Sequence, residues 1–373
     1  MFEIKNANIF KAVLPESYEE LAKHLGELPY STLLPTEYSK DSFVPNQVTG
    51  ELVTPIVGGY AFTLRRDEKV IPPSTIKEEI GKRVKELEDE TGRKVNRQEK
   101  SSIKDSVLMA LLPRAFSKPK FANCIYLTES NLLIVDCASA TVASAVVRNL
   151  VKVMGSVKTT TIFISNIKNG LAAKLKSYVC DSDFNAFGAG LSVGGEIRLS
   201  NQTTGERIHY SGIDPVTDTQ LEENLNEGFI VDRVRFNYGE AVKFTLNDQF
   251  KIGAMAWSDI DTGDDGEDAA FVWRHEAGVQ ASVICGIVSA LCSALEYKEP
   301  NDEQNEPEQQ PHNQNAPEHG DEQEPAGENK AGSKTPVKTG DPLADYWANS
   351  ASESVKNTPP KVVDLDPSEG GAQ

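Results

Sequence analysis

Between Pro72-Pro73 and Pro113 the chain carries two amphipathic helical segments back to back, so the stretches on either side, 1–70 and 121–170, are expected to form one unit across their base. The two prolines hold the backbone extended, and Thr75 with Glu78 three residues on reads as a capping box for the first helix. Ile76, Ile80, Val84 and Leu87 then recur at helical spacing on one face. Gly92 supplies the left-handed stop. A second capping box at Asn96 and Glu99 opens the next helix, which carries Ile103, Val107, Leu108, Leu111 and Leu112. Pro113 closes it by disfavouring α geometry at Leu112.

Charge is distributed unevenly along this hairpin. Arg93, Lys94, Arg97, Lys100 and Lys104 crowd the bend and the near half of the second arm, whereas its apolar residues crowd the far half. The far half is therefore expected to dock and the near half to project into water. Beyond Pro113, Arg114-Ala115-Phe116-Ser117-Lys118-Pro119-Lys120 sets three further cations around an aromatic ring, a pattern that suits a phosphate backbone with a side chain wedged or stacked against it. The simpler alternative is a solvated helix pair whose field is diluted by Glu86, Glu88, Asp89 and Glu90, with Phe116 in the core. Composition leaves both readings open.

The run Glu68-Lys69-Val70-Ile71-Pro72-Pro73-Ser74, the hairpin, Leu111-Leu112-Pro113-Arg114-Ala115-Phe116-Ser117 and Val135-Asp136-Cys137-Ala138-Ser139-Ala140 resemble, in order and spacing, the RdgC family of bacterial recombination-associated proteins. The likeness is clearest over 62–155, fainter over the N-terminus and up to about Leu295, and absent afterwards. It implies a non-enzymatic protein that binds double-stranded DNA without marked sequence preference, forms a ring-shaped homodimer and restrains RecA-type strand exchange. It also implies that Arg93, Lys94, Arg97, Arg114 and Phe116 sit on or near the DNA path. One departure is visible: after Glu196-Ile197-Arg198 the family pattern carries further lysines, whereas this chain has Leu199-Ser200-Asn201-Gln202.

The acidity of the chain bears on that implication. Of the formal net charge of −18, residues 298–373 account for −10 and residues 1–297 for −8. A mildly acidic body repels DNA at long range, so binding requires a local basic surface that dominates within a Debye length, roughly 8 Å at physiological salt. The five cysteines are odd in number and lack paired metal spacing, and the longest apolar stretch, Val279 to Leu295, is short for a membrane. With no leader pattern at the start, a reducing cytoplasm and a nucleoid association are expected, with no membrane.

Along the rest of the chain, 2–10 alternates as a half-buried strand, Ser17 caps a short helix ending at Gly26, and 57–64, 123–127 and 132–135 read as strands. Ser139 is placed to cap a helix carrying Val142, Val146, Leu150 and Val153. Asp136-Cys137-Ala138-Ser139 reads as a turn rather than a nucleophile site, because none of the five histidines is tied to it by a recognisable pattern. From 159 to 260 strands at 160–165, 196–199 and 231–238 alternate with a helix at 218–227, and Arg198, Arg207, Lys243 and Lys251 are candidates to extend a basic surface. The acidic stretch 261–268 lacks the glutamate that a calcium loop needs twelve residues from its start, where Val272 stands; it is expected instead to cap a helix over 269–295 that Gly278 kinks. Beyond Tyr297 the composition has little to bury and predicts disorder, with Pro342-Leu343-Ala344-Asp345-Tyr346-Trp347 as its one aromatic spot.

The fold expected is α+β: mixed sheet units with a protruding helical hairpin and a disordered acidic C-terminal tail. The units are 1–70 plus 121–170, the hairpin with its basic collar at 71–120, a second α+β unit at 171–297, and the tail at 298–373. The expected function is sequence-tolerant binding of double-stranded DNA by a homodimer, with a RecA-like recombinase as partner and no catalytic residue, cofactor or metal. Arg93, Lys94, Arg97, Lys100, Lys104, Arg114, Phe116, Lys118 and Lys120 are the DNA-binding candidates. Two alternatives stay open: a magnesium-dependent nuclease using Asp261, Asp264, Asp265 and Glu267, and a protein-only recombination regulator acting through the tail.

Overall fold

A computed structural model describes residues 2–162, 164, 167–258 and 268–297. The acidic stretch 261–267 and the tail therefore lie outside the described residues. The chain opens with β1 (Ala7–Ala12) and α1 (Tyr18–Gly26), followed by β2 (Ser39–Val44), β3 (Val53–Ile56) and β4 (Gly59–Val70). The helical pair α2 (Pro73–Thr91) and α3 (Arg97–Leu111) comes next, and a 3-10 turn at Leu112–Arg114 leads into β5 (Phe116–Leu127). Then follow β6 (Leu132–Asp136), α4 (Ala140–Met154), β7 (Thr159–Thr161) and α5 (Ile167–Cys180). The remainder is β8 (Leu191–Ser200), β9 (Arg207–Ser211), α6 (Thr219–Asn226), β10 (Ile230–Tyr238), β11 (Val242–Asn247), β12 (Ile252–Trp257) and α7 (Ala269–Ala294).

Among the described residues these strands join one sheet in the order β2-β4-β5-β6-β1-β12-β11-β10-β8-β9, with β3 also on β4 and β7 also on β1. Every pairing is antiparallel. The α+β expectation thus takes the form of a single large antiparallel sheet with helices on its faces. Strands from 1–170 and from 171–297 meet at β1 and β12 through one register pair, Ala7 with Ile252. That narrow seam is reinforced by Met255 N–H donating to Lys5 O (3.0 Å) and Trp257 Nε1 donating to Ile4 O (2.8 Å).

Period-two alternation sorts the side chains to two faces. Ala61, Ile125, Leu127, Leu132, Ile134 and Ile9 share a buried cluster with Leu171 and Leu175 of α5, Leu221 and Leu225 of α6, and the inner side of α7. On the other face Tyr60, Phe62, Leu64, Ala122, Cys124, Tyr126, Leu133 and Val135 pack under Leu21 and Leu25 of α1 and Ala143, Val146 and Leu150 of α4. β8, β10 and β11 feed only the first cluster, through Val193, Ile197, Val231, Val234, Phe236, Phe244 and Leu246. Their opposite face is covered by neither cluster.

Several local expectations change once pairing is known. Helix α2 starts at Pro73 rather than after Thr75, with Pro72 in the cap position and no side-chain cap bond. Proline in the first turn has no N–H needing a partner, so the helix begins earlier than the Thr75-Glu78 pattern suggested. The strand expected over 57–64 is a tight β3–β4 turn followed by a strand running on through Arg65-Arg66-Asp67-Glu68 to Val70, paired residue by residue with β5 from Leu127 back to Phe116. Pro119 fits in this strand because β6 accompanies β5 only over Asn123–Leu127, leaving an open edge beside the proline. Helix α5, not expected from the sequence, occupies 167–180, and the strand over 160–165 shrinks to Thr159–Thr161 among the described residues.

Asn96 caps α3 as expected: its side chain accepts from Glu99 N (2.9 Å) while Glu99 accepts from Asn96 N (3.0 Å), and Gly92 closes α2 at φ +65°. Asp268 caps α7 by accepting from Ala270 N. Gly278 faces Val57, where an added Cβ would make only ordinary contacts at 3.4–3.6 Å, so α7 does not need a glycine there for space. By length and composition α7 could cross a membrane, yet its face from Trp273 to Leu291 is buried in the sheet core. At the strand-to-helix turn, Asp136 accepts from Lys5 N and Asn6 N (both 3.2 Å) and Cys137 Sγ donates to Ser139 O (3.3 Å). Ser139 holds the cap position of α4 without a side-chain cap bond.

Candidate nucleic-acid interface

Two surfaces gather the cations. The first is the hairpin. Its apolar stripe is fully buried only at the base, at Ile76, Val107, Leu108 and Leu112, while Ile80, Val84, Leu87 and Ile103 are half-buried between the two helices. Arg83 Nη1 donating to Ser106 Oγ (2.8 Å) and Val95 N donating to Glu88 Oε1 (3.0 Å) tie the arms further out. At the bend Arg93 grips Glu99 through both Nη atoms (3.0 and 2.5 Å). The Arg93 bond and the Asn96 backbone N–H together hold the Glu99 carboxyl down at about 2. Arg93 therefore spends its charge inside the hairpin, whereas Lys94, Arg97 and Lys100 are exposed and make no ion pair with any described residue. Lys104 is half-buried.

The collar is the first part of β5. Phe116 lies across from Val70 and is 87% exposed, so its ring is not part of the core. Arg114 and Lys118 are exposed, also without an ion pair among the described residues. Lys120, by contrast, bonds Glu68 at 2.6 Å across the β4–β5 ladder. Lys82 is likewise occupied, held between Glu78 and Glu79 (2.9 and 2.8 Å).

The second surface is the uncovered face of β8 to β11. Arg198 lies between Ile197 and Leu199, both wholly buried, and so points the other way; the same logic applies to Arg233 and Arg235 around Val234, and to Lys243 between Val242 and Phe244. Register sets Arg233 opposite Arg198 and Arg198 opposite His209, while Arg207 precedes His209 by two residues on the same face. Against these cations the strands offer Glu196, which accepts from Arg235 Nη1 (3.0 Å) and stands 3.8 Å from His209 Nε2. Arg198, Arg207, Arg233 and Lys243 make no ion pair with a described residue.

Of the residues named from sequence as possible extensions of a basic surface, Arg198, Arg207 and Lys243 come together here. Lys251 does not join them, because its Nζ bonds the Ala138 carbonyl. Arg233 and Arg235 were not among the residues expected on this surface. Their signal was present: arginine alternating with valine and phenylalanine in Arg233-Val234-Arg235-Phe236 marks a strand with one apolar and one cationic face. Among the described residues no group of three or more potential metal ligands occurs. The acidic set Asp261, Asp264, Asp265 and Glu267 lies outside them.

A family model described as "Putative exonuclease, RdgC" matches residues 1–297. The chain is similar to the recombination-associated protein RdgC of Mannheimia succiniciproducens, at 27% identity over 282 residues, covering 74% of this chain and 91% of that protein. It is also similar to the protein of that name from Psychromonas ingrahamii (24% identity over 260 residues, 69% and 84% covered). The Salmonella typhimurium protein matches at 26% over 292 residues (73% and 91% covered). These relatives carry the name of recombination-associated proteins, and the match of the family model over the whole sheet-bearing part of the chain shows that this protein belongs to the RdgC family.

Proposed function

We propose that this protein binds double-stranded DNA irrespective of base order, does so as a ring-shaped homodimer, and restrains RecA-type strand exchange in the nucleoid of the cytoplasm. The observation that carries the proposal is the uncovered sheet face, where Arg198 and Arg233 stand opposite one another with no carboxylate partner among the described residues. Like charges across a ladder disfavour the fold, and a polyanion relieves that repulsion. Guanidinium groups gathered on one strand face meet phosphates and release their counterions without reading base edges, which gives affinity without sequence preference. Lys94, Arg97, Lys100, Arg114, Lys118 and the bare ring of Phe116 extend the same chemistry to the hairpin and its collar. Lys104 lies beside them on α3, while Arg93 and Lys120 are tied to Glu99 and Glu68 and contribute less. Because the body carries −8 overall, these local surfaces have to act at short range.

The test is duplex binding across a salt series, together with particle mass in solution. Affinity for unrelated duplex sequences should agree, fall steeply with salt, and belong to a particle of twice the 40.7 kDa chain mass. Binding that is absent at low salt, or that prefers one duplex by orders of magnitude, defeats the proposal. The word exonuclease in the family description supports a second reading, magnesium-dependent cleavage by Asp261, Asp264, Asp265 and Glu267. Incubation of linear duplex with magnesium separates the two, since loss of DNA that Asp264→Ala abolishes would establish the nuclease.

A further inference from the structure

Beneath the sheet, on the face opposite α1 and α4, lies a cavity of about 480 Å³ between β4, β5, the N-terminal segment and the start of α7. Thr63 and Asn123 form its ceiling. They are paired across β4 and β5, and each alternates with residues of the α1/α4 cluster, so both point down toward α7. Phe2, Phe121 and Trp273 supply aromatic walls, with the Phe2 and Trp273 rings 5.0 Å apart and tilted by 47°. Glu276 completes the lining from α7 and is 2% exposed.

The state of Glu276 is what gives the cavity a chemistry. One carboxylate oxygen accepts from Phe2 N at 2.5 Å, and the side chain lines the cavity. A carboxylate has room for about four donors, and one this buried is costly unless a donor or a cation meets it. We propose that the cavity binds an ammonium group carried on an aliphatic stem, the charge meeting Glu276 and the stem lying against Phe2, Trp273 and Phe121.

Three observations select this class of ligand. The rings of Phe2 and Trp273 can attract a cation and cover the methylenes behind it, while Phe121, which already has the Arg65 guanidinium 5.9 Å from its centroid, adds apolar area for the stem. The volume falls within the roughly 300–1,000 Å³ usual for small-ligand pockets, and a lysine side chain or a short diamine needs only part of it. Nucleotides and other anions are disfavoured by the same carboxylate. The lining amides add a preference: Asn46 Oδ1 already accepts from Val48 N and Thr49 N, and Asn123 Oδ1 accepts from Thr63 Oγ1, so each keeps an NH2 group available to donate. An ammonium flanked by carbonyls, as in a lysine residue of a polypeptide, uses those donors; a bare diamine does not.

The full-length protein should be titrated by calorimetry, at fixed ionic strength, with Nα-acetyl-lysine methylamide, 1,4-diaminobutane and the uncharged Nα-acetyl-norleucine methylamide. The lysine derivative is expected to bind, and the norleucine derivative to bind about tenfold more weakly or not at all. Binding of the diamine alone would still support the site and would identify a free amine as its ligand. Glu276→Gln keeps an acceptor for Phe2 N and should abolish the preference for the charged ligand. Should that variant fail to fold, Phe121→Ala, at a wall that is 40% exposed, reads the same site and should weaken binding of the lysine derivative several-fold through lost contact with its stem. No heat from either amine at millimolar concentration, or equal affinity for lysine and norleucine derivatives, overturns the proposal. The outcome is independent of DNA binding.

Discussion

Arg233 stands directly across the β8–β10 ladder from Arg198, and Arg198 in turn across the β8–β9 ladder from His209. Side chains so placed have Cβ atoms roughly 4.5–5.5 Å apart, close enough for their charges to repel. Ile197 and Val234, paired on the same two strands, explain why the sheet accepts this: both are wholly buried, and their burial locks the register that forces the arginines together.

Replacing Arg198 and Arg233 by alanine should reduce the salt slope of duplex binding by roughly 0.9 for each phosphate that is no longer neutralised, equally for all duplex sequences. Folding stability should rise slightly or stay within about 0.5 kcal/mol, since the repulsion is removed and neither side chain is core. Binding isotherms at several salt concentrations and urea melts check both halves.

On the hairpin, Arg97→Ala and Lys100→Ala should each lower the slope by about one unit. Arg93→Ala should lower it less, because its guanidinium is already committed to Glu99. A larger drop from Arg93 than from Arg97 in the same salt series would mean that the Arg93–Glu99 pair opens when DNA binds.

Phe116→Ala should weaken duplex binding while leaving the salt slope and the thermal midpoint nearly unchanged. At 87% exposure the ring has little folding energy to lose, whereas a core phenylalanine would cost about 3–5 kcal/mol on truncation. Differential scanning calorimetry beside the binding assay distinguishes these cases.

Burial, with Asp136 nearby, pushes the Cys137 thiol up to about 11. Iodoacetamide should therefore label it slowly at pH 8, and mass spectrometry of peptides across a pH series should show the rate climbing only as pH approaches that value. The linkage has a definite sign. The folded thiol holds its proton more tightly than the unfolded one, so its contribution to stability is complete below the ordinary thiol range, near pH ~8.5, and is lost as pH rises toward the folded value.

Gly59→Ala should destabilise the protein by roughly 1–3 kcal/mol or more. An added Cβ would lie 1.9 Å from the Tyr126 carbonyl oxygen, a backbone atom of the adjacent strand that cannot swing aside. Chemical denaturation of the variant measures the cost, and an unchanged midpoint would mean that the β4–β5 ladder yields there.

What the sequence determined by itself was local. The cap at Asn96 and Glu99, the left-handed stop at Gly92 and the apolar spacing of α2, α3, α4 and α7 all rest on interactions between residues within about four positions of each other, so they are legible in order of appearance. Tertiary structure decided everything that depends on partners far apart in the chain. It drew Arg65 to Glu68 and Lys118 to Lys120 into strands because twelve residues of β4 and β5 pair as a unit. It committed Lys120 to Glu68, gathered Arg198, Arg207, Arg233, Arg235 and Lys243 on one face, and enclosed Glu276 beside Phe2. Glu276 and Phe2 stand 274 positions apart, and only the register of an antiparallel sheet and the helix laid beneath it could bring them together.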